Sequence, residues 1–130
     1  MTTMLTSGKV VFAAILTSLL TVTAVVAHEW LAPDQAAERN NPIAATPESV
    51  AQGQEFFVTT CAYCHGENGQ GMAGEEAGLA TSPPDLRERL QRHSAGDFFW
   101  KVQNGRGDMP SFQESLKEEE IWHIINFLQE

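Results

Sequence analysis

Cys61-Ala62-Tyr63-Cys64-His65 places two thiols three positions apart and an imidazole directly after the second, and no other segment restricts the fold of this chain as much. The arrangement is the one that covalent attachment of a c-type haem requires: each thiol adds to one vinyl group, and the adjoining ring is held under the iron as its proximal ligand. A chain built on this motif must fold around a macrocycle. Two rival uses of the same residues lack what they need. A zinc site takes four ligands, usually two such pairs, but Cys61 and Cys64 are the only two cysteines, and His28, His93 and His123 have no paired ligand spacing. A thioredoxin-like redox pair comes after a strand in an alternating strand and helix pattern, which this sequence does not show.

Upstream, Lys9 is followed by an uncharged apolar stretch from Val10 to Ala27, so residues 1–27 read as an export signal. At 18 residues it is longer than a usual secretory apolar region and about the minimum for a membrane span. Val25 and Ala27 suit a small-residue cleavage site and polar residues begin at His28, which favours cleavage after Ala27 over retention as an uncleaved inner-membrane anchor facing the periplasm. The remainder of the chain reads as one small domain, 46–130, behind an N-terminal extension, 28–45. An apolar core alone gives a domain of this size little margin of stability, so much of the core is expected to be cofactor. With 17 acidic against 8 basic residues and a formal net charge of −9, the chain is a poor partner for nucleic acid; a redox partner with a basic docking face would suit it.

The helices announce themselves through their caps. Thr46 before Pro47 predicts a helix to about Thr59, with Val50, Gly53, Phe57 and Val58 on one stripe. The glycine-rich segment Gly66 to Pro84 predicts coil; without a preceding strand or a subsequent lysine it is not a phosphate loop. Asp85 caps a short helix through about Arg92, and Ser94 with Asp97 starts another that ends at Asn104 and Gly105. Ser115 and Glu118 have capping-box spacing for a terminal helix, where Ile121, Ile124, Ile125 and Leu128 recur at i, i+3, i+4 and i+7. The acidic run Glu118 to Glu120 then lies at the positive end of the helix dipole. The extension shows no sustained helical face beyond a turn after Asp34, and Trp30 is expected to pack on the domain.

A second protein ligand on the iron would separate an electron carrier from an open, reactive centre. Met72, Met109, His93 and His123 are the candidates. Met72 leaves a short loop to pass the haem edge, His93 lies at a helix end, and His123 sits beside the apolar stripe of the last helix. Met109 has the best context: Gly105 and Gly107 allow close backbone approach and Pro110 fixes the chain after the sulfur. A thioether is soft and neutral, so it favours ferrous iron and raises the reduction potential.

With Cys61, Cys64, His65, Met109, Pro83-Pro84-Asp85-Leu86, and Gly53 and Phe57 facing an aromatic terminal helix, the segment from about Thr46 to Glu130 resembles the class I c-type cytochromes, especially small bacterial monohaem forms. The resemblance implies an all-α cytochrome c fold of about four short helices around one covalent haem c. It implies that a proline carbonyl, of Pro83 or Pro84, accepts the other ring proton of His65, and that Gly53 meets the neighbourhood of Ile124 and Phe127. Pro84 joins Cys61, Cys64, His65 and Met109 as an expected cofactor-binding residue, with His65 and Met109 on the iron. Arg106, beside Met109, is the expected propionate partner. The implied role is one-electron transfer between a donor and an acceptor protein in the periplasm, without enzymatic chemistry; a haem subunit of a larger exported or membrane-bound oxidoreductase is the alternative.

Overall fold

The computed structural model describes residues 30–130, so the apolar stretch 10–27 and its cleavage site lie outside the described residues. Seven helical segments occur among them: α1 Asp34–Ala37, α2 Pro47–Thr60, α3 Ala62–His65, α4 Gly74–Ala77, α5 Leu86–Leu90, α6 Ala95–Asn104 and α7 Glu118–Gln129. Three of these, α1, α3 and α4, are single turns of four residues, which leaves four longer helices to carry the architecture. No described residue belongs to a strand, and the backbone forms one isolated bridge between Arg106 and Met109. No helix of the described residues is long and apolar enough to cross a membrane.

Local chemistry explains where most helices begin. The Thr46 hydroxyl accepts from the Ser49 N–H at 3.2 Å, Asp85 Oδ1 accepts from Glu88 N–H at 3.0 Å, and Ser94 Oγ accepts from Asp97 N–H at 3.1 Å. Each satisfies a donor that a helix start would leave unpaired. The terminal helix departs from expectation. Ser115 is absorbed in the preceding turn, its hydroxyl near the Phe112 carbonyl, and α7 starts after Lys117, whose N–H donates to Glu120 Oε2 at 2.8 Å. The glycine-rich segment also holds one helical turn, α4, closed by Gly78 in the left-handed conformation.

The central contact is the crossing of α2 over α7. Along α2 the buried residues are Ser49, Gly53 and Phe57, four apart, while Val58 falls off this stripe and is 45% exposed. At Gly53 the backbones nearly touch: a Cβ there would lie 2.5 Å from the His123 carbonyl carbon and 3.0 Å from the Ile124 nitrogen. One turn further on, the Phe57 and Phe127 rings meet at 5.5 Å. α7 has a second buried face, where Trp122 stacks on Phe99 of α6 at 4.2 Å and joins Phe98, Ile121 and Ile125 in one cluster. One helix thus ties α2 to α6.

The extension wraps the domain. Ala32 N–H donates to Asp97 Oδ1 at 2.6 Å, Ser94 Oγ donates to the Ala37 carbonyl at 2.6 Å, and the Arg39 guanidinium sits 4.4 Å over the Phe99 ring. Asn41 and Asn126 continue the seam: Asn41 Nδ2 reaches Asn126 Oδ1 at 2.8 Å, and Asn126 Nδ2 donates to Ser49 Oγ at 2.8 Å and the Ile43 carbonyl at 3.1 Å. Asn126 is thereby fully engaged although buried in an otherwise apolar helix.

Two substitutions test this packing. Gly53→Ala gains about 1 kcal/mol of helix propensity but drives a methyl into backbone that no rotamer can move, so a net loss of about 1–3 kcal/mol is expected in denaturant unfolding. Asn126→Ala removes the Asn126 bonds to Asn41, Ser49 and the Ile43 carbonyl at once and leaves a cavity in a buried site; a loss of about 1–3 kcal/mol is expected, and a midpoint equal to wild type would show that Asn126 adds nothing.

Candidate haem-attachment site

Cys61 closes α2, and its carbonyl starts the next turn, accepting from Cys64 N–H at 3.1 Å and His65 N–H at 3.0 Å. The motif is therefore a single helical turn fastened to the end of the helix that Gly53 and Phe57 anchor. One turn carries both sulfurs and the imidazole. Both cysteines are unpaired and half-buried. Burial, and secondarily the neighbouring Cys64, push the Cys61 thiol up to about 12. No group of three or more His, Cys, Asp or Glu side chains among the described residues is placed to hold a metal ion, so the zinc reading has no ligand set there.

The segment after His65 folds back on the ring. Gly66, with φ of 74°, ends α3; Gly71 N–H then donates to the His65 carbonyl at 2.9 Å, and Gly71, with φ of 83°, lies against Pro83 and Pro84. A Cβ at Gly71 would sit 2.6 Å from the Pro83 oxygen and 2.9 Å from the Pro84 carbonyl carbon, so only glycine lets the Pro83-Pro84 pair approach. Burial lowers the His65 pKa, and the Pro84 carbonyl facing it partly offsets that. His65 Nδ1 is buried without a formed hydrogen bond, so the Pro84 carbonyl acts through proximity and stops short of full bond geometry. Burial holds the ring neutral, the form in which imidazole binds iron.

The stretch from 61 to 90 has almost no core of its own. Its buried residues are Gly66, Gly69, Gly74 and Ala77, none larger than alanine. An ordered segment that buries no large side chain needs another apolar surface to close on. Two thiols and an imidazole on one helical turn, beside this segment without large buried side chains, together fit a covalently held macrocycle. Cys61, Cys64 and His65 are the residues that would hold it.

The expected second ligands are now separable. His93 Nδ1 lies 3.0 Å from Asp97 Oδ2 with both side chains only 4% exposed, and His123 Nδ1 pairs with Ser49 Oγ at 2.8 Å. Both histidines are occupied in structural contacts. The Met72 N–H points to the Pro83 carbonyl at 3.4 Å, which ties that methionine to the segment flanking His65. Met109 is half-buried in a turn pinned at both ends, with Arg106 N–H to the Met109 carbonyl at 2.9 Å and Met109 N–H back to Arg106 at 3.1 Å. Gly105 and Gly107 take positive φ, and a Cβ at Gly105 would meet the Pro110 carbonyl carbon at 2.5 Å. Sequence reasoning missed the partners of His93 and Arg106. The Arg106 guanidinium lies 5.4 Å over Trp30, a contact across so much intervening sequence that no local pattern signals it.

Comparison with known proteins agrees with this geometry. Residues 48–128 match the family model described as cytochrome C oxidase, cbb3-type, subunit III. Cytochrome c6 of a Synechococcus strain is 27% identical over 115 residues, covering 87% of this chain and 88% of its own length. Among solved structures, the chain aligns with the reducing HAO-like protein complex of Kuenenia stuttgartiensis at a TM-score of 0.56 and 22% identity, covering 68% of this chain and 46% of that one. It also aligns with cytochrome cL of Methylophaga aminisulfidivorans at a TM-score of 0.51 and 22% identity, covering 64% and 53%. The chain thus spans about half the length of these two structures, and the likeness to them is one of fold. A family match over most of the domain, on an all-α frame that brings Cys61, Cys64 and His65 into one turn, shows that the chain belongs to the cbb3-type cytochrome c family as a small class I c-type cytochrome carrying one covalent haem c.

Proposed function

We propose that this protein is an exported one-electron shuttle between redox proteins, with His65 and Met109 as the two axial ligands and Pro84 as the acceptor of the His65 Nδ1 proton. The observation that carries the reading is the disposition of the four candidate ligands: the Nδ1 atoms of His93 and His123 are held by Asp97 and Ser49, the Met72 backbone is tied to Pro83 on the His65 side, and Met109 stands on another segment in a turn closed by its two backbone bonds with Arg106. When bound, the haem supplies a one-electron couple at its iron. The chain's part is to keep that iron closed. A neutral His65 and the Met109 thioether would hold the iron from the protein, leaving no vacant site for small molecules and little rearrangement on a change of oxidation state. No general acid, base or nucleophile is needed for that task.

Export is supported by the uncharged apolar stretch 10–27 behind Lys9. The net charge of −9 favours transient partners with basic faces, since opposite charge speeds encounter without demanding a large interface. The family's description as an oxidase subunit favours a second reading, a haem c subunit held in a larger oxidoreductase.

Ferric wild-type protein should show the weak iron–thioether charge-transfer band, and Met109→Ala should abolish it, with the reduction potential falling. If the band is missing from the wild type and carbon monoxide binds the ferrous protein readily, the shuttle reading is wrong. Reduction by a small cationic complex should slow as salt rises and reduction by an anionic one should quicken. A single stable complex after mild extraction, with no free monomer, would favour the subunit reading over the shuttle.

A further inference from the structure

Trp30 is packed against the turn that carries Met109, from a part of the chain outside the attachment motif and outside the residues that the family model matches. Its indole meets Trp100 edge to face at 6.4 Å, and the Lys101 ammonium and Arg106 guanidinium lie 5.7 and 5.4 Å from its centroid. Two residues on, Ala32 is fastened by its N–H to Asp97 Oδ1. Asp97 is 3% exposed, and its other oxygen takes His93 and Lys101, so the anchor point is a buried ionic cluster on α6 that cannot shift cheaply. From Arg106 the connection to Met109 is direct, since the two residues exchange both backbone hydrogen bonds.

We propose that residues 30–32 form a strap that holds the Met109 turn closed, with Trp30 as the positioning residue that acts on Met109 through Arg106. This rests on Met109 being an axial ligand. The turn has a built-in tendency to swing: Gly105 and Gly107 flank Arg106, both at positive φ, and Arg106, Gly107 and Asp108 are exposed. Inward packing of the turn otherwise rests on the Phe112 N–H to Val102 carbonyl bond at 3.1 Å and on Ser111 Oγ donating to the Gln103 carbonyl, both beyond Met109 in sequence. The cation over the Trp30 face is the contact on the near side. Losing it raises the fraction of molecules in which Met109 has left its place, and leaves the His65 side untouched.

Imidazole reports that fraction, because it enters only when the position is vacated and its apparent dissociation constant scales inversely with the open population. With the full-length ferric holoprotein, Trp30→Ala should tighten imidazole binding roughly three- to tenfold, the span expected for one cation–π contact. Trp30→Phe should recover most of the wild-type value. Arg106→Gln tests the same contact from the other end: alone it should match Trp30→Ala, and the double variant should be no worse than either single one. A propionate role for Arg106 would instead add its effect on top of Trp30→Ala and overturn the strap. So would an imidazole affinity unchanged in Trp30→Ala while the charge-transfer band is present in the wild type. Absence of that band from the wild type would instead remove Met109 as ligand, a distinct failure that the same spectra reveal.

Discussion

Gly53 and the His123–Ile124 backbone share a space that leaves no room for a side chain, and the rest of the domain is arranged by that crossing. It sets the distance and angle of α2 against α7. Because α2 runs directly into the turn that bears Cys61, Cys64 and His65, fixing α2 fixes the attachment site. The same α7 presents Ile124, Phe127 and Leu128 to α2 and Ile121, Trp122 and Ile125 towards α6, whose C-terminal end leads into the Met109 turn. A methyl group at position 53 would therefore disturb more than local packing. It would move the attachment turn relative to the Met109 turn.

Features written in short segments are legible in the amino-acid order alone. Thr46, Asp85 and Ser94 each bond an N–H three residues on, so the cap and its partner sit within one short window. The period of α7 is equally visible, because burial against two partners repeats every turn. Its start is not: Ser115 and Lys117 both precede a glutamate at capping-box distance, and the turn that absorbs Ser115 decides between them. Val58 leaves its expected stripe for a related reason. It is apolar and adjacent to Phe57, but the strict spacing of Ser49, Gly53 and Phe57 sets the buried stripe and leaves Val58 outside it.

Long-range partners are not legible at all. The bond of Ala32 to Asp97, the pairing of Asn41 with Asn126 and the seat of Trp30 between Lys101 and Arg106 join residues that sequence spacing cannot relate. Their combined effect is that the extension is bound into α6 and α7 by hydrogen bonds, an ion pair between Arg39 and Glu118, and ring contacts. The histidines show the same limit from another side. His93 and His123 carry donor atoms suited to iron, and no local pattern in the sequence signals that Asp97 and Ser49 hold their Nδ1 atoms.

The third of the domain between 61 and 90 stands apart in its energetics. The α2, α6 and α7 helices bury Phe57, Phe99, Trp122 and three isoleucines almost completely, whereas the intervening segment buries only glycines and one alanine. Its order comes from backbone contacts: Gly69 presses on Leu128, the Leu86 N–H donates to the Gly69 carbonyl at 2.7 Å, and Gly71 admits Pro83 and Pro84. Those contacts shape a wall without filling what it encloses. Leu86 and Leu90 lean on the two helical clusters, and a covalently attached macrocycle would add apolar surface on the side where the segment buries no large side chain. Burial on this side also favours the neutral form of the His65 ring, the form in which an imidazole binds iron.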